Sequence, residues 1–123
     1  MRVHHIAFRT YDLERARRFY ADAIGLRELS QQRRSDGSTR AIWMSLDGVV
    51  LMLESADPAE PGPAPGGMDM VAFAIDEGAR AAIRTRLALA SVSIEAETQF
   101  TLYVRDPDGR RIGLSSYPFP PSS

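Results

Sequence analysis

The chain has 123 residues, 44% of them hydrophobic and 25% charged, with a formal net charge of -1. That is enough for one domain with a real core and too little for two ordinary ones, and it gives no electrostatic reason to expect nucleic acid or an anionic membrane as partner. With no cysteine, disulfides, thiolate metal sites and a cysteine nucleophile are excluded.

All fifteen basic residues are arginine, which reads first as a composition bias and second as a set of carboxylate or phosphate clamps. The N-terminus enters a strand-like run with no basic, then apolar, leader. No apolar run reaches the ~18 residues of a membrane span, so a cytoplasmic location is expected.

From the N-terminus, residues 3–10 are rich in β-formers, with Val3, His5, Ala7 and Arg9 on one face and His4, Ile6 and Phe8 on the other. From Leu13, the apolar residues Ala16, Phe19, Tyr20, Ala23 and Ile24 recur at the spacing of a helix that buries one stripe. Asp12 is placed to cap its start and Gly25 to end it. Residues 26–34 and 39–46 predict two strands around the turn Asp36-Gly37, and Asp47-Gly48 turns again into a strand at 49–54. The first half therefore reads β-α-β-β-β.

Residues 56–67 carry four prolines and three glycines and read as a linker. The order then repeats. A strand is predicted at 69–75, and Asp76 is placed to cap a helix whose stripe is Ala79, Ala82, Ile83, Leu87 and Ala90. Strands are predicted at 92–96 and 101–105. Asp106-Pro107-Asp108-Gly109 is the clearest turn, its two carboxylates suited to shaping it, and a last strand follows at 111–116. His5-Ile6-Ala7-Phe8 is echoed by Met70-Val71-Ala72-Phe73, so the halves are copies of one unit. The expected organisation is one domain with module one at 1–55, linker 56–67, module two at 68–117 and a tail at 118–123. Two β-α-β-β-β units each leave one sheet face uncovered, which predicts pairing with each other or with a second chain, and a ligand on the face opposite the helices.

The opening run HIAFRTYDLERARRFYADAIGL, the Asp-Pro-Asp-Gly turn and the closing RIGLSSYP resemble the vicinal oxygen chelate superfamily. That group includes glyoxalase I, extradiol dioxygenases, fosfomycin-modifying enzymes and bleomycin-resistance proteins. The resemblance implies an α+β fold of two βαβββ modules forming a curved sheet with a ligand cleft. It also implies a divalent metal held by ligands from the first and last strands of each half, where imidazole and carboxylate leave open positions for substrate oxygens.

Carried onto this chain residue by residue, those positions are His5, Met70, Met52 and Gly113. Only His5 is a competent ligand. Glu54, two residues past Met52, makes a two-ligand remnant with His5, fewer than the three that metal sites usually supply. No metal and no cofactor are therefore expected. The resemblance implies a ligand-binding cleft lined by His5, Ala7, Trp43, Met52, Glu54, Met70, Ala72, Tyr103, Arg111 and Gly113, with an apolar, roomy centre. Arg9, Arg40, Arg105 and Arg111 are candidates for charge at its rim. Trp43 and Tyr103, in roughly matching places of the two copies, offer flat surfaces for a planar or cationic ligand if they face the cleft.

The first functional expectation is a small-molecule binding protein of the bleomycin-resistance type, a homodimer that sequesters an aromatic or amphipathic compound. The alternative is an enzyme of the superfamily, a lyase, isomerase or dioxygenase acting on a vicinal-oxygen substrate. It would be metal-free through His5 and Tyr103, or would use an unusual metal set that includes His5 and Glu54. His5 is the candidate catalytic residue, although a general base needs a positioned partner.

Overall fold

A computed structural model describes residues 3–56 and 70–118; the expected linker, from residue 57, and the end of the tail lie outside the described residues. The chain divides into two compact units, Met1–Gly67 and Met68–Ser123, and both are βαβββ modules with mixed four-stranded sheets.

The first unit contains β1 (His5–Thr10), a helix α1 (Leu13–Arg18) continued by a π-helical segment (Phe19–Ile24), β2 (Glu28–Arg33), β3 (Thr39–Ser45) and β4 (Val50–Ser55). The sheet order is β1-β4-β3-β2. β1 runs parallel to β4, and the other pairs are antiparallel. The expected caps form. The Asp12 carboxylate accepts the Arg15 N–H at 3.0 Å, and Gly25, at φ 93°, ends the helix with its N–H and that of Leu26 on the Tyr20 carbonyl. The helical stripe is buried at Ala16, Phe19, Tyr20, Ala23 and Ile24. It packs on the sheet through Phe8, whose ring lies 6.0 Å from that of Tyr20, and joins Ile42, Met44, Leu51 and Leu53 in the core. Strand alternation then turns Ala7, Met52 and Trp43 to the opposite, open face. Asp47 and Gly48 both have positive φ, 51° and 91°, the backbone of a primed hairpin turn that matches strand twist.

The second unit contains β5 (Val71–Ala74), a 3-10 turn (Glu77–Ala79), α2 (Arg80–Leu89), β6 (Ala96–Glu97), β7 (Thr101–Arg105) and β8 (Arg111–Ser115), in sheet order β5-β8-β7-β6. Leu102, Val104, Ile112 and Leu114 form its buried face.

Three local expectations are corrected. Asp76 stands at the N-cap of the 3-10 turn, but its side chain makes no capping bond; its carbonyl accepts the Ala79 N–H instead. Of the α2 stripe only Ile83 and Leu87 are buried, whereas Ala82 and Ala90 are exposed, because alanines supply too little apolar area to fix a helix face. The strand expected at 92–96 shrinks to Ala96–Glu97, with only the flanking bonds Glu95 N–H to the Tyr103 carbonyl and Thr98 N–H to the Thr101 carbonyl extending its pairing. Arg80 ties α2 to this edge by donating to the carbonyls of Thr98 and Gln99 and to Glu97. Among the described residues, no helix is long and apolar enough to cross a membrane.

Candidate functional site

The ten candidate residues fall into two sets, one on the open face of each unit. In the first unit, β1, β4 and β3 place Ala7, Met52 and Trp43 side by side in one row, with His5, Val50 and Ser45 in the row on one side and Arg9, Glu54 and Ala41 on the other. In the second, β5, β8 and β7 place Ala72, Gly113 and Tyr103 in the matching row, and the pairing continues to Ala96 on β6. Register thus makes Trp43 and Tyr103 true counterparts, where counting from the turn glycines left them one residue apart. Met52 and Gly113 are counterparts in the same way.

His5 opens the first set. His4 was expected to point away, but the strand begins only at His5, so His4 is free of strand alternation and its Nδ1 lies 3.0 Å from His5 Nδ1. Two facing imidazole nitrogens form a hydrogen bond only if one donates its N–H and the other accepts, so the contact demands opposite roles of the two Nδ1 atoms. Beside it Met52 and Trp43 are half-buried, and the Trp43 Nε1 is buried without a hydrogen-bond partner among the described residues. Glu54 lies next to Arg9 across the β1–β4 register.

Three of the second set, Met70, Ala72 and Tyr103, line a concavity of about 430 Å³ together with Thr98, Gln99, Phe100, Thr101, Ser115 and Tyr117; Arg111 and Gly113 are not part of its lining. Met70, Ala72 and Tyr103 give an apolar floor. The hydroxyls of Thr101 and Ser115 lie 2.8 Å apart, and Phe100 and Tyr117 make an edge-to-face pair with ring centroids 5.2 Å apart. Gly113 does not leave a void: a Cβ built there would stand 2.6 Å from the Met70 methyl and 3.3 Å from the Ala72 Cβ. The Met70 methyl therefore lies in the space a side chain at 113 would take. Arg111 projects from β8, its guanidinium carbon 4.2 Å from the Tyr103 ring centroid.

Of the rim arginines, Arg105 is bound by both oxygens of Glu95 at 2.6 and 3.1 Å. The bond to Arg105, with Arg111 also contributing, holds the Glu95 carboxyl below the usual carboxylate range. Arg40 is exposed and Arg9 half-buried. The turn carboxylates do shape their turn: Asp106 accepts the N–H groups of Asp108 and Arg110 at 2.9 Å each and pairs with the Arg110 guanidinium at 3.0 Å.

Thr101, Ser115 and Tyr117 were not singled out in the sequence, although extending the face of Tyr103 and Gly113 by steps of two reaches all three. Phe100, Thr98 and Gln99 lie outside a strand and carry no such signal.

The superfamily's ion needs donors that this chain lacks. Met70 and Met52 offer thioethers and Gly113 nothing, and among the described residues no group of three or more His, Asp or Glu side chains is arranged to hold a metal. The residues do not fit that group.

Two mixed sheets of β-α-β-β-β topology, each with an open face bearing aromatic and apolar side chains, define an α+β protein. The sequence model of the Glyoxalase/Bleomycin resistance protein/Dioxygenase superfamily matches residues 2–114, and the chain belongs to that superfamily. Solved structures agree on the fold. Fosfomycin resistance protein FosX from Mesorhizobium loti is 17% identical with a TM-score of 0.76, over 96% of this chain and 93% of that one. Glyoxalase I from Leishmania major is 21% identical with a TM-score of 0.75, over 94% and 86%. A glyoxalase/dioxygenase from Nostoc punctiforme is 25% identical with a TM-score of 0.75, over 92% and 88%. No curated protein matches by sequence.

Proposed function

We propose that this protein takes a small oxygen-bearing organic molecule onto the open face of its second unit and acts on it as an enzyme, without the four-ligand metal set of its superfamily. The observation that carries the reading is the groove over Met70, Ala72, Thr101, Tyr103 and Ser115, in which an apolar floor adjoins hydroxyl groups that can orient substrate oxygens. Enzymes among the structural neighbours favour turnover over plain sequestration. One group of the groove is chemically able to move a proton, the Tyr103 phenol; His5, the candidate from the sequence, lies on the first unit's open face with its ring against His4. Sequestration without turnover is the second reading, supported by the apolar floor and by the missing donors at 70 and 113.

The test is product formation from a panel of epoxides, hemithioacetals and catechols, followed by mass spectrometry with and without added Mn, Ni, Zn or Fe. Turnover that falls at least about a hundredfold in Tyr103→Phe, in the range of a lost acid–base group, supports the enzyme reading. Binding without product from any member favours sequestration. A homodimer in the cytoplasm belongs to the same proposal, supported by the half-exposed apolar residues Trp43 and Met52 on the first unit's open face.

A further inference from the structure

Arg111 is the least compensated charge on the second unit's open face. It makes no hydrogen bond or ion pair with another described residue, and its Nε is buried without a partner. The carboxylate that senses it, Glu95, gives both oxygens to Arg105, so two guanidinium groups share one carboxylate. The two carboxylates of the adjoining turn, Asp106 and Asp108, are both turned to Arg110. Arg111 instead lies over the Tyr103 ring at 4.2 Å, which it reaches diagonally across the β7–β8 pairing, where Tyr103 stands opposite Gly113 and Arg111 opposite Arg105. The corresponding place in the first unit, two residues before Met52, is Val50, so the feature belongs to one copy alone.

Tyr103 is shared between this stack and the groove. A molecule touching Tyr103 from the groove is therefore within about one Debye length, ~8 Å at physiological salt, of a guanidinium that makes no ion pair of its own with a described residue. The cation position on one face of the ring is already filled from within the chain.

We propose that Arg111 and Tyr103 form a specificity pair that selects groove ligands bearing an oxyanion, a carboxylate or a phosphate-like group, and turns away cations. The planar guanidinium offers a fork of donors for such a group, and its stack on Tyr103 holds the fork in place. This rests on the groove being the ligand seat, and the experiment separates the two claims.

Benzoate, phenylphosphonate, neutral benzamide and benzyltrimethylammonium are titrated into the full chain, with NMR shifts of the groove residues as readout. The expected result is that benzoate or phenylphosphonate binds at least about tenfold tighter than benzamide, with the cation weakest. Arg111→Gln brings the anions to within about twofold of benzamide while benzamide itself is unchanged. If that variant fails to fold, Arg111→Lys, which keeps the charge and loses the fork, is expected to retain an anion preference of about threefold or more. Equal binding of benzoate and benzamide, tighter binding of the cation, an anion preference that survives Arg111→Gln, or loss of all preference in Arg111→Lys overturns the pair while leaving the groove. Shifts from no probe at all overturn both.

Discussion

Replacing Gly113 by alanine tests whether Met70 has taken over the space of a lost side chain. The new Cβ would meet the Met70 methyl at 2.6 Å and the Ala72 Cβ at 3.3 Å, so the methionine end must move. Overpacking of this kind costs about 1–3 kcal/mol, whereas replacing a strand glycine gains about 0.5–1 kcal/mol from chain entropy. The single substitution is thus expected to cost between about 0 and 2.5 kcal/mol, too ambiguous to interpret alone. A double-mutant cycle removes the entropy term, which is the same with either residue at position 70. Met70→Ala uncovers Gly113 and costs stability by itself, but in the presence of Gly113→Ala it relieves the clash. Urea unfolding of the four proteins should therefore give a coupling energy of about 1–3 kcal/mol, with Met70→Ala less harmful in the alanine background. Coupling below about 0.5 kcal/mol, the level found for independent sites, would refute the steric match.

Asp106→Ala is expected to lower stability by about 2–4 kcal/mol, since it strips two backbone N–H groups and the Arg110 guanidinium of a carboxylate that is itself 4% exposed; chemical denaturation measures it, and a loss under about 1 kcal/mol would contradict the turn's role. Glu97 is held below the usual carboxylate range chiefly by its bond to Arg80, with Arg84 also bound to it. A depressed folded-state pKa contributes stability that is present at neutral pH and lost as pH falls through the carboxylate range. The advantage of the native chain over Glu97→Gln should accordingly shrink below about pH 4, and an advantage that grows on acidification would show the sign to be wrong.

Much of the fold was legible because the chain writes its unit twice. Asp12, Gly25, Asp47-Gly48 and Gly109 each mark an element end by a local backbone requirement that needs no tertiary information. Sheet register, by contrast, is a relation between strands. Only pairing of Trp43 with Met52 and of Tyr103 with Gly113 turned an approximate match into an equivalence.

The candidate site was legible where strand alternation reaches, at Ala72 and Tyr103 and by extension at Met70 and Tyr117, and illegible beyond it. Phe100, the other half of the aromatic wall, comes from a segment flanking the strands, where no period constrains a side chain's direction. The pairing of His4 with His5 was missed because alternation was extended two residues before the strand's start, where it does not hold. Gly113 was legible as a lost ligand, but not as a position covered by Met70, because a glycine in sequence does not say what fills its place. Arg111 reads in sequence as one of fifteen arginines, and only its stack on Tyr103 and unpartnered Nε distinguish it.

The central claim, that the open face of the second unit seats the ligand, is tested most directly by following the methionine methyl groups in 13C NMR during titration with phenylphosphonate. The Met70 methyl lines the groove above Gly113, whereas Met44 is buried in the first unit's core. The account predicts a saturating shift of the Met70 signal with Met44 unmoved, and loss of that shift in Tyr103→Ala. Saturable binding that leaves Met70 where it was would contradict it.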